Sequence, residues 1–293
     1  MEHDFLRGCV RLLAGKEELI GTLNAKLATT FERKLFEAAI NNLLDAYNPL
    51  RFNNYAYATR ELVRHILSRL APDTEVRACD WYKNETQNEG GITRNQRVAY
   101  AIQGGLTNDY VALELQLDST SIRKRIKDVV GDLSKHTHIQ PETFDIDPAT
   151  QDAYVSESLE SMRQLFEVIK DSKKAVSDAL ADHIDQEVLK RVIGESIDEI
   201  DEISSHHIVE DVCVELVDVL SISSSEIHLS VEGKISAELQ WGSNGDVRRG
   251  DGVVFNESFP FSCTLRSTVS DPGKFPDGPQ NFRVYNDDWF GET

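Results

Sequence analysis

The chain has 293 residues, 40% of them hydrophobic, and carries 31 Lys and Arg against 50 Asp and Glu for a net charge of −19. That length and apolar content support one large folded domain or two ordinary ones, and the acidity excludes capture of nucleic acid or anionic membrane by the overall field, so any anion has to be bound locally. No apolar run approaches the roughly 18 residues of a membrane span, and Met1-Glu-His-Asp-Phe lacks the basic and apolar regions of a secretion signal, so a cytoplasmic protein with no membrane attachment is expected.

In chain order, apolar residues at helical spacing (Leu12, Leu13, Leu19, Ile20, Leu23, Leu27, then Phe31, Leu35, Phe36, Ala39, Ile40, Leu43, Leu44) predict a pair of helices or one long bent one within residues 1–47. Asn48-Pro49 ends it, because the residue before proline is pushed out of the helical region. A helix over Arg51–Leu70 follows, with Phe52, Ala56, Thr59, Val63, Ile66, Leu67 and Leu70 on one face, stopped by Ala71-Pro72-Asp73. Residues 79–91 read as a polar loop, after which Thr93 caps a helix over Arg94–Gln103 that Gly104-Gly105 closes. A further amphipathic helix over Ser119–His136 turns Ile122, Ile126, Val129, Val130 and Leu133 inward.

From Pro148 to about Ile200 the spacing stays helical and the outer face is acidic. The texture changes at Ser204-Ser205: Val212, Val214 and Leu216 alternate with polar residues, as do Ile227, Leu229 and Val231, and then Ile235, Ala237, Leu239 and Trp241. Glu232-Gly233 reads as the hairpin turn joining the last two runs, Gly242–Gly252 as a turn-rich loop, and Val253–Phe255 and Phe259–Leu265 as short strands. The expected architecture is α+β: a helical domain over 1–140, an acidic helical connector over 141–204, a small antiparallel β-rich domain over 205–270, and a partly ordered tail over 271–293.

Charge singles out one region. Residues 51–140 hold 13 basic and 11 acidic side chains, while residues 1–50 hold 6 and 7 and residues 141–293 hold 12 and 32. Four cysteines, Cys9, Cys79, Cys213 and Cys263, stand singly, without zinc or redox spacing, and are expected to be reduced structural thiols.

Four phrases, Asn48-Pro-Leu-Arg-Phe-Asn-Asn-Tyr-Ala-Tyr-Ala-Thr-Arg-Glu-Leu62, Tyr100-Ala-Ile-Gln-Gly-Gly-Leu106, Leu133-Ser-Lys-His-Thr-His-Ile139 and Gly242-Ser-Asn-Gly-Asp-Val-Arg-Arg-Gly-Asp-Gly252, together resemble the bacterial family of predicted pPIWI-associating nucleases, from about residue 30 to 265. The resemblance implies a place in conflict systems against phage and plasmids, nuclease activity and a defence-system partner protein. Arg60 and His65 also resemble, more loosely, the arginine-to-histidine motif of HEPN ribonucleases, which are helical and usually dimeric; Glu61 departs from the polar residue, often asparagine, that commonly follows the arginine there.

Metal-free RNA cleavage needs a base for the 2′-hydroxyl, an acid for the leaving oxygen and a cation for the charged phosphorane, roles that suit histidine and arginine. Arg60, Arg64, His65 and His138 are therefore the candidate catalytic residues, without a cofactor. On an ideal helix Arg60 and His65 lie about 140° apart, so completing a site needs His136 or His138 or a second copy of the chain in a homodimer. Arg60 and Arg64 share a face with Asn53 and Tyr57, and Arg94, Arg97, Arg123, Lys124 and Lys127 are candidates to track a nucleic-acid backbone. The plain alternatives are that Arg60 and Arg64 pair with Glu61, that His65 is a packing residue, that His136-Thr-His138 caps a helix end, and that the basic residues form a solvated face. A different chemistry would place Mg2+ on Glu238, Asp246 and Asp251, although Gln240 stands where a restriction-type core wants lysine. A non-enzymatic adaptor or sensor that docks a defence partner is the remaining alternative.

Overall fold

The computed structural model describes residues 13–45, 47–204 and 206–290; Cys9, Leu12 and Ser205 of the sequence reading lie outside them. Contacts divide the chain into two units: the described residues through Gly104 together with Gln116–Ser172, and Gly105–Leu115 together with Lys173–Thr293. The whole is α+β, helical first and antiparallel sheet last, as the periodicities require.

The first unit is built from α1 (Glu17–Lys26), α2 (Thr30–Leu44), α3 (Arg51–Leu70), the short α4 (Asp73–Ala78), α5 (Arg94–Gln103), α6 (Ser119–His136) and the first half of α7 (Pro148–Gly194). Capping boxes set two starts: Thr29 and Glu32 exchange side-chain and backbone hydrogen bonds at α2, and Thr93 and Gln96 do the same at α5. Helix α3 is the hub, packing against α2, α5 and α6. Phe52, Tyr55, Leu62, Ile66 and Leu67 on it are almost fully buried with Leu43, Ile102, Ile126 and Leu159. At that apolar content each large side chain contributes about 2 kcal/mol. Buried Glu32 is held by Arg69, with Nε 2.7 Å from Oε1. The short helix α4, which the sequence does not predict, starts just after Pro72, whose carbonyl accepts its first hydrogen bond from Val76 N at 3.0 Å.

The second unit carries a four-stranded antiparallel sheet in the order β1 (His206–Ile222), β2 (Glu226–Trp241), β3 (Val253–Thr268) and β4 (Gln280–Val284). Its covered face presents Ile227, Leu229, Val231, Ile235, Ala237 and Leu239 of β2 and Phe259, Phe261, Cys263 and Leu265 of β3. Residues 173–194 of α7 bury Val176, Leu180, Ile184, Val188 and Val192 at four-residue spacing. Ser177 Oγ donates to the Val217 carbonyl at 3.1 Å and Lys173 Nζ to that of Leu220 at 3.0 Å. Two short helices, α8 (Asp198–Asp201) and α9 (Asn244–Arg249), precede β1 and β3, and α10 (Asp287–Phe290) follows β4.

Several expectations about this half are corrected. The turn expected at Glu232-Gly233 does not exist: β2 passes straight through it, and the β1–β2 turn is Ser223-Ser-Ser225. Gly233 is there for closeness, since a Cβ would fall on the Cys213 carbonyl and lie 2.7 Å from the Phe261 ring. Gly105 plays the same part at the turn, donating to Ser223 O at 2.8 Å where a Cβ would strike Ser224. Strand β1 inserts one extra residue at Glu210, at Glu215 and at Leu220. Each bulge flips the side-chain phase, so Leu216, expected inside beside Val212 and Val214, points out and is 48% exposed, while Val217 takes the inner position. The loop expected at 242–252 contains α9, capped by Ser243 and Asp246. The two short strands expected after it are one, β3, and the tail after Asp271 includes β4. Cys79 and Cys263 are buried free thiols, pushed up to about 12 and about 11 by burial, whereas Cys213, expected to be structural, is exposed.

Candidate functional site

Helix α3 displays a charged chain along its outer face. Arg60 Nη2 donates to Glu61 Oε1 at 2.9 Å, Arg64 Nε to Glu61 Oε2 at 2.8 Å, and Arg64 Nη2 meets His65 Nε2 at 3.0 Å. An arginine only donates, so in this contact His65 Nε2 is the acceptor. The ring packs edge-on against Phe31, centroids 4.7 Å apart. The Arg64 hydrogen bond first, and that of Arg60 after it, hold the Glu61 carboxyl below the usual range against partial burial. Glu61 bridges both arginines, a role its i,i+3 spacing to Arg64 allows.

A second helix brings another cation to Arg60. Arg94 is the first residue of α5, exposed, with no hydrogen-bond or ion-pair partner among the described residues. Partial desolvation, and then the like charge of Arg60, pull its guanidinium below the ordinary arginine value. The two surroundings differ: Arg60 is anchored to Glu61 and, through Nη1 at 3.4 Å, to Thr137 Oγ1, while Arg94 has no such anchor among the described residues. Their like charges repel, and an anion bound near both would offset that repulsion.

The Thr137 contact places the His138 turn beside this pair. Thr137 Oγ1 donates to Ser134 O at 2.8 Å, ending α6, and His138 follows it with an exposed ring. The turn is fixed from below by Asn53, whose buried Nδ2 donates to His136 O at 2.8 Å and Thr143 O at 3.0 Å. Asn53 is therefore not part of the outward stripe with Arg60 and Tyr57 that its spacing predicts; the 137–143 turn folds over it. His136 is buried between Phe52 and Tyr154, centroids 5.1 and 4.9 Å away, and burial lowers its pKa. Tyr57 stays outward, 56% exposed, with the Arg60 guanidinium over its ring at 5.5 Å from the centroid.

The other basic candidates separate. Arg97 is spent inside the unit, donating to Ala71 O and pairing with Asp73, both at 2.7 Å. Arg123 Nε donates to Asn95 Oδ1 at 3.0 Å, which ties α6 to the start of α5, and Lys124 and Lys127 are exposed.

In the second unit two of the three carboxylates of the metal alternative, Asp246 and Asp251, have other partners. Glu238 sits mid-strand opposite Ile208 and Asn256. Asp246 accepts from Ser243 N and pairs with Arg249, which also lies 3.6 Å from Asp251. Among the described residues no three His, Cys, Asp or Glu side chains gather to hold a metal. His207 Nδ1 lies 3.3 Å from Asp201 and from Ser204 O, at the junction of α8 and β1. Among the described residues no helix is long and apolar enough to cross a membrane.

Two family models match the chain, over residues 24–162 and residues 169–290, and both are described as predicted pPIWI-associating nuclease. The first spans the Arg60–Arg94–His138 cluster and the second the sheet. No curated protein and no solved structure matches the chain.

Proposed function

The chain belongs to the predicted pPIWI-associating nucleases, and from that premise we propose that it cleaves RNA in the cytoplasm as part of antiphage defence, beside the partner protein its family description implies. The observation that carries this reading is Arg60, held by Glu61 and Thr137 beside the exposed Tyr57 ring, with the Arg94 guanidinium, which has no partner among the described residues, near enough to feel its charge. A phosphate relieves that repulsion and accepts from both planar forks. No metal is required: His65, once its Nε2 is released from Arg64, is suited to take the 2′-hydroxyl proton, His138 to protonate the leaving 5′-oxygen, and Arg60 and Arg94 to stabilise the phosphorane charge. The outward positions of the two histidines favour a homodimer that supplies one of them to each site.

The test is cleavage of labelled single-stranded RNA, transfer RNA and double-stranded DNA, with Mg2+ and with EDTA, beside Arg60→Ala/Arg94→Ala. RNA cleavage that survives EDTA and drops at least about a hundredfold in the double variant is expected, as for loss of electrostatic stabilisation of the transition state. Metal-dependent cleavage indifferent to the variant would overturn the helical site. One observation favours a non-enzymatic adaptor instead: Glu61 neutralises part of the arginine charge internally. For an adaptor, no substrate is cut under any condition and the double variant weakens only partner binding.

A further inference from the structure

Resting on the phosphate-binding reading above, we propose that the site takes single-stranded rather than duplex nucleic acid, with Tyr57 as the platform on which one unpaired base stacks. Tyr57 lies one turn before Arg60 on α3, and its ring is 56% exposed, whereas Tyr55, two residues earlier, is fully buried with its hydroxyl 2.6 Å from Ser158 Oγ. One tyrosine of the pair is therefore a core residue and the other contributes little to packing. No hydrogen bond of the Tyr57 hydroxyl is present among the described residues. The Arg60 guanidinium lies over the ring, 5.5 Å from its centroid.

The same guanidinium thus orients the ring and, with Arg94, forms the cationic pair. Arg60 is itself held by Glu61 and Thr137, so the ring it leans over is fixed in direction and still 56% exposed. A nucleotide whose phosphate lies on Arg60 and Arg94 brings its own base to an aromatic face already in place. Stacking of that kind tolerates any base, since every base has a π-face, and it needs the base to be unstacked from its neighbours. A duplex withholds those faces and offers only edges and phosphates. The backbone contact alone would bind both forms; Tyr57 makes the difference between them.

The probes are fluorescein-labelled dT12, which lacks the 2′-hydroxyl and is not consumed, and a 12-base-pair DNA duplex, followed by anisotropy. Wild type is expected to bind dT12 more tightly than duplex, Tyr57→Ala to weaken dT12 binding about tenfold with the duplex unchanged, and Tyr57→Phe to retain wild-type affinity. If Arg94→Ala weakens both probes while Tyr57→Ala changes neither, stacking is overturned and the phosphate site stands. If wild type binds neither probe, or Arg94→Ala has no effect on either, the phosphate reading falls and this one with it. Because Tyr57 is exposed, circular dichroism of Tyr57→Ala is expected to match wild type, and a shift there together with loss of duplex binding would count against the proposal.

Discussion

Glu61→Gln separates a phosphate site from a self-satisfied surface network. The carboxylate accepts from Arg60 and Arg64 at 2.9 and 2.8 Å, with Arg64 58% exposed, so its worth to folding is that of surface pairs, about 1 kcal/mol or less. Its effect on an incoming anion is larger. Arg60, Arg64, Arg94 and Glu61 together carry a charge of +2, and the substitution makes it +3. One added unit charge about 6 Å from a phosphate is worth about 0.7 kcal/mol in water and about 3 kcal/mol at an effective dielectric near 20. Partial exposure puts the expectation toward the lower figure, roughly a three- to tenfold gain in affinity. Freeing a cation from its internal partner should also steepen the salt dependence, adding about 0.7 to the slope of log K against log salt for a single strand. Anisotropy with labelled dT12 over a salt series measures both. Unchanged affinity and slope in Glu61→Gln would refute the reasoning, because the arginines would then be serving the fold alone; a loss of more than about 2 kcal/mol in urea melts would say the same by another route.

Two further outcomes follow from the buried polar anchors. Asn53→Ala removes the donor shared by two carbonyls, His136 O and Thr143 O; about 2–3 kcal/mol of stability should be lost, and cleavage should fall further than in a surface control because the His138 turn loses its anchor, as denaturant melts and kcat together will show. Glu32 is pushed up by burial but pulled further down by Arg69 and by the amides of Thr29 and Ala28, so its folded pKa lies below the unfolded value. Its stabilisation is therefore complete above about pH 5 and lost as pH falls through the folded pKa; Glu32→Gln should cost about 2 kcal/mol at pH 7 and little near pH 3, and an equal cost at both in melts would contradict it.

The helical half was legible because its signals are local. Thr93 with Gln96, Pro49 and the Ala71-Pro72 stop lie within four residues of the boundaries they set, and the predicted spans Arg51–Leu70, Arg94–Gln103 and Ser119–His136 coincide with those observed. The sheet was not, because its decisive features are relations between strands. The inward residues of β1 run His207, Val209, Val212, Val214, Val217, Val219 and Ile222, spaced alternately two and three apart; a search for strict alternation catches only fragments of that series. Gly233 resembles a turn residue until its neighbours across two strands are known. At the site, the Arg60–Arg64 stripe follows from helical spacing, but Arg94 reaches Arg60 only through the packing of α5 on α3, and the burial of Asn53 depends on a turn 83 to 90 residues away.

The three bulges of β1 also bear on what the protein avoids. An edge strand of 17 residues with Ile208, Leu216 and Leu220 exposed is the kind of template on which other chains add as further strands. An incoming straight strand finds its register broken every five residues, at Glu210, Glu215 and Leu220, and meets carboxylates at the first two. Lys173 and Ser177 already occupy two of the carbonyls near the third. The edge can thus stay long and apolar enough to fold on its own sheet while being a poor seed for aggregation.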